Sequence, residues 1–403
     1  MKNLTMNKNW IVLWLLIIPA ILFSQNIPVN KLKAYGDIDH GNYQSAMDTL
    51  NILLQDEPNQ ELYLAKANVL YLLGNFTEAF LYCGKADKLN SSASSELKLK
   101  IYLKLDDYEK VKASLENNLR SKYKIPLFKL FNNPDFSGIY NLNLNDFILS
   151  GNFYSQTEKQ IYQIQRLINS EKENQALFIL DEMLSRNQNV ADVHYLKSKL
   201  LFQNGDDFGA LQAVNSAVSL DKSNPEYRKQ RINIYSKFKR YNDALSDAEK
   251  LVRLEPGNTQ NYITTAELLF ETNQFEKSSE LTESLMKIWP QDPDLLYLKG
   301  KSYYMKEDYF KALKAINACM DIRSNKEVFE LRGDIYSVTN TFEYAIRDYS
   351  MYLDIEPYNG DIYAKKGLAR LNAGDKKGAC YDWKRGKRYG SYEAAEYFEK
   401  YCQ

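Results

Sequence analysis

One small residue recurs along this chain at an almost constant interval. Eight of its ten occurrences are alanine, and the positions are Ala46, Ala79, Val111, Ala176, Ala210, Ala244, Ser278, Ala312, Ala345 and Ala379. The steps between successive positions are 33, 32, 65, 34, 34, 34, 34, 33 and 34, so the longest step spans nearly two intervals. A period near 34 is typical of stacked helical hairpins, in which each unit buries its apolar face only against its neighbours.

Four further columns share this register. An aromatic residue stands three positions before the small residue in Tyr43, Phe76, Tyr108, Tyr241, Phe275, Tyr309 and Phe342. Five positions before it stands glycine or asparagine, which tolerate the left-handed conformation that ends a helix: Gly41, Gly74, Gly205, Asn273, Asn340 and Gly374. A second small residue lies twelve positions before it in Ala34, Ala67, Ser198, Ala266, Gly300, Gly333 and Gly367. Twelve positions after it lies Pro58, Pro256, Pro290 or Pro357. The columns predict two antiparallel helices that cross closely at small residues, with proline ending the second helix.

This order of small residue, Gly-x-aromatic, small residue and proline resembles the tetratricopeptide repeat family over roughly residues 27–120 and 157–390. The resemblance implies an all-α fold, an α-solenoid of about ten helix-turn-helix repeats that form a right-handed superhelix with a C-terminal capping helix. We expect three repeats in residues 25–120, seven in residues 157–390 and the capping helix in residues 391–403.

Residues 121–156 interrupt the register with Pro126, Pro134 and Gly138 among apolar residues. The sequence leaves open whether this segment is a degenerate repeat, a hinge or a packed insertion. Its alternating asparagines, Asn141, Asn143 and Asn145, lack the glycine and the terminal glutamate of a calcium loop, so we expect no metal there.

Residues 1–24 have the features of a signal peptide. Lys2 and Lys8 precede an uninterrupted apolar run, Trp10–Phe23, and Ser24 ends a plausible cleavage site. The run is short for a membrane span, although an uncleaved anchor is the alternative. No cysteine occurs before Cys83, which argues against a lipoprotein anchor. We expect an exported bacterial protein, periplasmic or secreted, with no membrane insertion after cleavage.

The composition limits the function classes. There are 52 basic and 52 acidic side chains. Residues 1–24 contain two lysines and no acidic side chain, so their removal leaves a small acidic excess, and nucleic acid is not the expected partner. The two histidines, His40 and His194, lie in separate repeats, and no nucleophile, phosphate-loop or metal motif occurs. We therefore predict a non-enzymatic protein without cofactor or metal.

The four cysteines fall into two groups. Cys83 and Cys319 lie in second helices at positions typical of small core residues. A turn near Gly390 would bring Cys380 and Cys402 to similar heights on antiparallel helices, since each residue rises about 1.5 Å. An oxidising compartment would permit a disulfide between them, and two free thiols are the alternative.

The resemblance also implies where a partner binds, because family members use fixed positions of their first helices. Counted from the alanine column, these candidate groove residues are Tyr195, Lys199, Phe202, Lys229, Asn233, Ile263, Phe270, Tyr297, Lys301 and Tyr304. Aromatic rings beside lysine and asparagine suit a peptide, although some rings could instead pack between adjacent first helices. The family's clamp for a C-terminal carboxylate is incomplete, because only Lys229 and Asn233 match it, whereas Thr264 and Asp294 depart from it.

The sequence thus predicts a protein-protein interaction scaffold that recognises a peptide or protein in its concave groove in the bacterial cell envelope. The alternative is an architectural subunit of an envelope assembly or secretion machine that uses its edges and residues 121–156. Partner identity, pathway and oligomeric state are left open.

Overall fold

The computed structural model describes residues 29–142, 144–186 and 189–402. These residues form α helices, one short 3₁₀ helix and no strand, which confirms the predicted all-α fold. The predicted signal peptide and Asn143 of the asparagine run lie outside the described residues. Within this described part, no helix is both long and apolar enough to cross a membrane.

The chain divides into two compact units, Met1–Ile234 with Lys250–Thr259, and Tyr235–Glu249 with Gln260–Gln403. The helices of the first unit begin with α1 Val29–Asp39, α2 Tyr43–Asp56, α3 Gln60–Leu72, α4 Phe76–Leu89, α5 Ser95–Lys104 and α6 Tyr108–Leu119. Short elements follow: α7 Leu127–Asn132, the 3₁₀ helix Pro134–Phe136, α8 Gly138–Asn141 and α9 Asn145–Ser150. Longer helices resume with α10 Gln156–Asn169, α11 Glu173–Ser185, α12 Ala191–Gln203 and α13 Asp207–Leu220.

The boundaries between the units fall within or next to α14 Pro225–Lys237, α15 Tyr241–Leu254 and α16 Thr259–Glu271. The second unit continues through α17 Phe275–Met286, α18 Pro293–Met305, α19 Tyr309–Ile322, α20 Lys326–Val338 and α21 Phe342–Ile355. It ends with α22 Gly360–Asn372, α23 Lys376–Arg388 and α24 Tyr392–Tyr401.

The turn between paired helices has the same backbone in every repeat. All ten residues that lie five positions before the recurring small residue have positive φ: Gly41, Gly74, Asp106, Glu171, Gly205, Lys239, Asn273, Glu307, Asn340 and Gly374. The next residue often caps the second helix, as when Asp206 Oδ1 accepts a hydrogen bond of 2.9 Å from the Gly209 amide. The chain therefore reverses direction within a few residues and pairs the two helices antiparallel.

Small residues let the paired helices cross closely. All ten residues of the recurring column are fully buried. In the second unit, a Cβ added to Gly367 would lie 2.4 Å from Trp383 Nε1, and one added to Gly333 would lie 2.8 Å from Tyr349 Cε1. Large side chains of the second helices thus fill the space that the glycines of the first helices leave.

Residues 121–156 pack as part of the first unit. Leu130, Phe136 and Ile148 from the short elements share one apolar core with α5 and α6. The buried Asn118 side chain ties this core to the chain that leaves α6, because its Nδ2 donates to Tyr123 O at 3.1 Å and its Oδ1 accepts from the Ile125 amide at 3.0 Å. The segment therefore packs against the hairpin of α5 and α6.

The final helix α24 covers the last hairpin. Trp383 of α23 is fully buried, and its ring lies 5.4 Å from that of Tyr397 and 5.6 Å from that of Tyr401. Cys380 and Cys402 form a disulfide with an S–S distance of 2.00 Å, which links α23 to the end of α24. Cys83 and Cys319 are free and buried.

Candidate functional site

The first helices of the second unit form a cavity of about 220 Å³ between α16, α18 and α20. Phe270 comes from α16, and Tyr297, Lys301, Tyr304 and Met305 come from α18. Glu327, Glu330, Leu331 and Asp334 of α20 complete its lining. The hairpin stacking creates this site, because each of three successive repeats contributes one helix to its wall.

Aromatic rings at the turns support the rings of the cavity. The Phe270 ring lies 5.1 Å from that of Phe275, and the Tyr304 ring lies 6.0 Å from that of Tyr309. Phe275 and Tyr309 belong to the aromatic column of the repeat, five positions after the cavity ring that each contacts. Such edge and tilted ring pairs are favourable beyond the area they bury. The repeat pattern therefore fixes the position of the cavity rings as well as that of the helices.

Lys301 is held inside the wall. Its Nζ lies 2.9 Å from Glu271 Oε1 and 4.4 Å from the centroid of the Phe270 ring. The amine of this predicted groove residue is thus paired within the chain. Its contribution to the site is to neutralise Glu271 and to cover the ring of Phe270.

The α20 side of the cavity is acidic. Lys365 of α22 lies 2.7 Å from Glu330 Oε1 and 2.9 Å from Asp334 Oδ2, so one ammonium group serves two carboxylates. Asp334 also accepts a hydrogen bond of 2.8 Å from the Tyr349 hydroxyl. Glu327 is exposed and has no ion pair within the described residues. The cavity therefore carries unbalanced negative charge.

Burial and these charges shift the titration of the site. Loss of water raises the pKa of Asp334, although Lys365 opposes the effect. The pKa of the Tyr297 phenol is raised by burial and then by Glu330, Glu327 and Asp334. Burial, followed by the charge of Asp294, raises the pKa of Glu267 to about 7. Part of the Glu267 side chain is nevertheless exposed to solvent, and screening by water limits what this shift contributes to stability.

The candidate residues of the first unit lie on α12 and α14. Tyr195 packs its ring 5.1 Å from that of Tyr227, with Lys199 Nζ 5.8 Å from the Tyr195 ring centroid. Lys229 lies 2.8 Å from Glu226 Oε1 and 3.2 Å from Glu255 Oε2. Its amine is therefore engaged within the chain.

The other candidates differ in accessibility. Asn233 is exposed and Phe202 is half-buried. Ile263 is only 2% exposed, which differs from the expectation that it faces a partner. An aliphatic side chain gains free energy by leaving water, and this one is packed within the protein instead. His40 and His194 each bond locally, to Gly36 O at 2.7 Å and to Asn189 Oδ1 at 2.9 Å.

The structure thus brings together four of the predicted groove residues, Phe270, Tyr297, Lys301 and Tyr304. Sequence reasoning missed the three acidic residues of α20, although they occupy groove positions of the repeat of Ala345. The same column count, continued by one repeat, would have identified them.

The helices form successive antiparallel pairs, and each pair is joined by a turn in which one residue has the left-handed backbone conformation. This arrangement defines the class of helical-hairpin solenoids. Within this class, the family model described as "Tetratricopeptide repeat" matches residues 32–94, and that described as "Anaphase-promoting complex, cyclosome, subunit 3" matches residues 238–319. The chain therefore contains tetratricopeptide repeats, as its sequence pattern predicts.

Curated relatives are distant and longer. A TPR repeat-containing protein of Methanocaldococcus jannaschii is 21% identical over 81% of this chain and 63% of its own length. A DnaJ homolog subfamily C member 3 homolog of Dictyostelium discoideum is 23% identical over 32% of this chain and 29% of its own length. The chain therefore spans less than two thirds of either relative.

Solved structures share the fold at low identity. A tetratricopeptide repeat protein from Parabacteroides merdae has a TM-score of 0.53 and 16% identity, over 61% of this chain and 98% of its own. The APC/C hetero-tetramer Cut9-Hcn1 gives a TM-score of 0.51 and 13% identity, over 94% of this chain and 97% of the matched chain. These similarities establish the fold alone.

Proposed function

We propose that this protein is a non-enzymatic scaffold of the bacterial cell envelope that recognises a peptide or protein through its first helices. The observation that carries the proposal is the cavity lined by Phe270, Tyr297 and Tyr304. Ring-lined concave sites bury apolar side chains, and a pre-formed surface loses little ordering entropy on binding. Proteins of this repeat family are generally interaction scaffolds, which agrees with this assignment.

Two observations support export. Residues 1–24 have the order of positive, apolar and cleavage-site residues of a signal peptide. The Cys380–Cys402 disulfide is of a kind that persists in oxidising compartments and is rare in the cytosol. Cell fractionation together with N-terminal sequencing tests this part of the proposal. A chain found in the cytosol with Met1 intact would contradict it.

Crosslinking and capture from the cell envelope tests the groove. We expect a partner captured by the wild type to be lost when Tyr297→Ala and Tyr304→Ala are combined. The matched control combines Tyr344→Ala and Tyr381→Ala, which removes two tyrosines that are 57% and 61% exposed on second helices. Circular dichroism would verify that both variants keep their helices. A partner retained by the first double variant would instead favour an architectural subunit that binds through its edges or through residues 121–156.

A further inference from the structure

The charges that line the cavity do not balance. Glu327, Glu330 and Asp334 bring three carboxylates, and Lys301 brings one ammonium group. Lys301 already pairs with Glu271, and Lys365, beside the cavity, divides its single charge between Glu330 and Asp334. Two positive charges are therefore lacking on the α20 side, where three carboxylates face the single charge of Lys365 and Glu327 has no ion pair within the described residues.

The loss of water around these carboxylates strengthens their attraction for a cation. The raised pKa of Asp334 follows first from loss of water, so its carboxylate is poorly solvated there. A cation that entered would interact with these carboxylates in a medium less screening than bulk water. An acidic side chain would meet like charges at the same place, which disfavours its binding. The electrostatics of the cavity thus favour a positively charged group of a ligand over a negatively charged one.

The rings on the opposite wall suit the same ligand. Lys301 Nζ at 4.4 Å from the Phe270 centroid shows that a cation and an aromatic ring already pair in this wall. Tyr297 and Tyr304 are half-buried, so part of each side chain remains accessible from the cavity. Aromatic rings attract cations through their quadrupole, and they also bury the methylene stem of a long basic side chain.

We infer that the cavity between α16, α18 and α20 binds a lysine or arginine side chain of a partner protein. The carboxylates of Glu327, Glu330 and Asp334 hold its positive group, and the rings of Tyr297 and Tyr304 hold its stem. This inference rests on the proposed function, and it adds the chemical character of the bound segment. A partner with an acidic segment is excluded at this site.

A peptide array tests the inference with the full mature chain. The array presents short peptides of varied sequence in which the central residue is arginine, lysine, glutamine or glutamate. The strongest arginine peptide and its glutamine counterpart are then titrated by fluorescence anisotropy. We expect the arginine peptide to bind about tenfold more tightly, and the difference to shrink when salt screens the charges.

Two charge-reversed variants provide the comparison. Glu327→Lys places a positive charge at the cavity, and we expect it to abolish the preference for arginine. Glu343→Lys is the matched control, because Glu343 is also exposed and also lies in the first turn of a helix, α21. We expect it to bind like the wild type.

The outcomes separate the two proposals. Peptides bound without a basic residue but lost on Tyr297→Ala would overturn the inference and leave the proposed function intact. An arginine preference that survives Glu327→Lys would also overturn the inference. If neither peptide binding nor partner capture responds to the Tyr297/Tyr304 substitutions, the proposed function itself fails.

Discussion

At the scale of single residues, the turn between paired helices shows what the sequence can reveal. Six of the ten left-handed positions are glycine or asparagine, and the residue type predicts them. The other four are Asp106, Glu171, Lys239 and Glu307, and of these residue types only aspartate tolerates the left-handed conformation comparatively well. Their conformation follows from the register alone, because the packed helices on both sides determine the path of the turn.

Replacing such a residue by glycine relieves backbone strain. Glu307 has a φ of 58°, and its side chain is exposed to solvent. We expect Glu307→Gly to raise the free energy of unfolding by about 0.5–1 kcal/mol, as measured by urea denaturation. The control Glu343→Gly, within a helix, should lower it by about 1 kcal/mol. A destabilised Glu307→Gly variant would contradict the argument.

Glu267 makes stability depend on pH. Its folded-state pKa of about 7 exceeds the unfolded value of 4.5, so the folded protein holds this proton more tightly. Stability should therefore fall as pH rises from about 4.5 to about 7, with the full penalty above that range. Because Glu267 is exposed, we expect Glu267→Gln to gain only about 1 kcal/mol over the wild type near pH 8. Near pH 4 the gain should vanish. Urea titrations of both proteins at the two pH values measure it, and a gain of equal size at pH 4 and pH 8 would contradict the prediction.

At the scale of elements, each hairpin depends on small residues of one helix facing larger side chains of the other where the two helices cross. The small columns of the sequence predicted close crossings, and Gly333 and Gly367 provide them. The packing of residues 121–156 could not be predicted in the same way. Its core joins short elements to α5 and α6 through contacts such as those of Asn118, which follow no period. A periodic pattern reveals local packing, whereas irregular packing leaves no repeated signal.

The crossing of α22 and α23 has little room for a larger residue. A Cβ at position 367 would lie 2.4 Å from Trp383 Nε1, whose indole is fully buried and donates to Ala364 O at 3.1 Å. We expect Gly367→Ala to lower the free energy of unfolding by about 1–3 kcal/mol despite its higher helix propensity.

The matched control is Gly84→Ala. Gly84 also lies within a helix, α4, but nothing lies within 4 Å of its added Cβ. This variant should gain about 0.5–1 kcal/mol. Urea unfolding followed by circular dichroism measures both variants. Equal effects of the two substitutions would refute the crowding argument.

At the scale of the whole molecule, the period predicted the all-α fold and the stacking of hairpins. It predicted the rings of the candidate site because they occupy fixed columns of the repeat. It did not predict that Lys301 and Lys229 would be engaged by Glu271, Glu226 and Glu255. Ion pairs between neighbouring helices depend on side-chain reach, which column counting does not describe.

The disulfide stabilises the end of the second unit. It joins cysteines 22 positions apart, so in the chain-entropy account it contributes about 3 kcal/mol locally. We expect Cys402→Ser to expose α24 to proteolysis and to hydrogen exchange, with little effect in the first unit. Reductant should reproduce the effect in the wild type and add nothing to Cys402→Ser. If α24 of Cys402→Ser is as well protected from proteolysis and hydrogen exchange as in the wild type, the prediction is wrong. Side-chain packing alone then holds the helix in place.

The position of α24 has a consequence for association between copies. A hairpin array is built by adding like units, and its last unit presents the surface on which a next hairpin would sit. Here Ala394, Tyr397 and Tyr401 occupy that surface over Trp383. Without them, the first hairpin of another copy could continue the stack, and such a head-to-tail contact generates open fibres because it does not close. The helix α24 therefore occupies the surface on which a hairpin of another copy would have to stack.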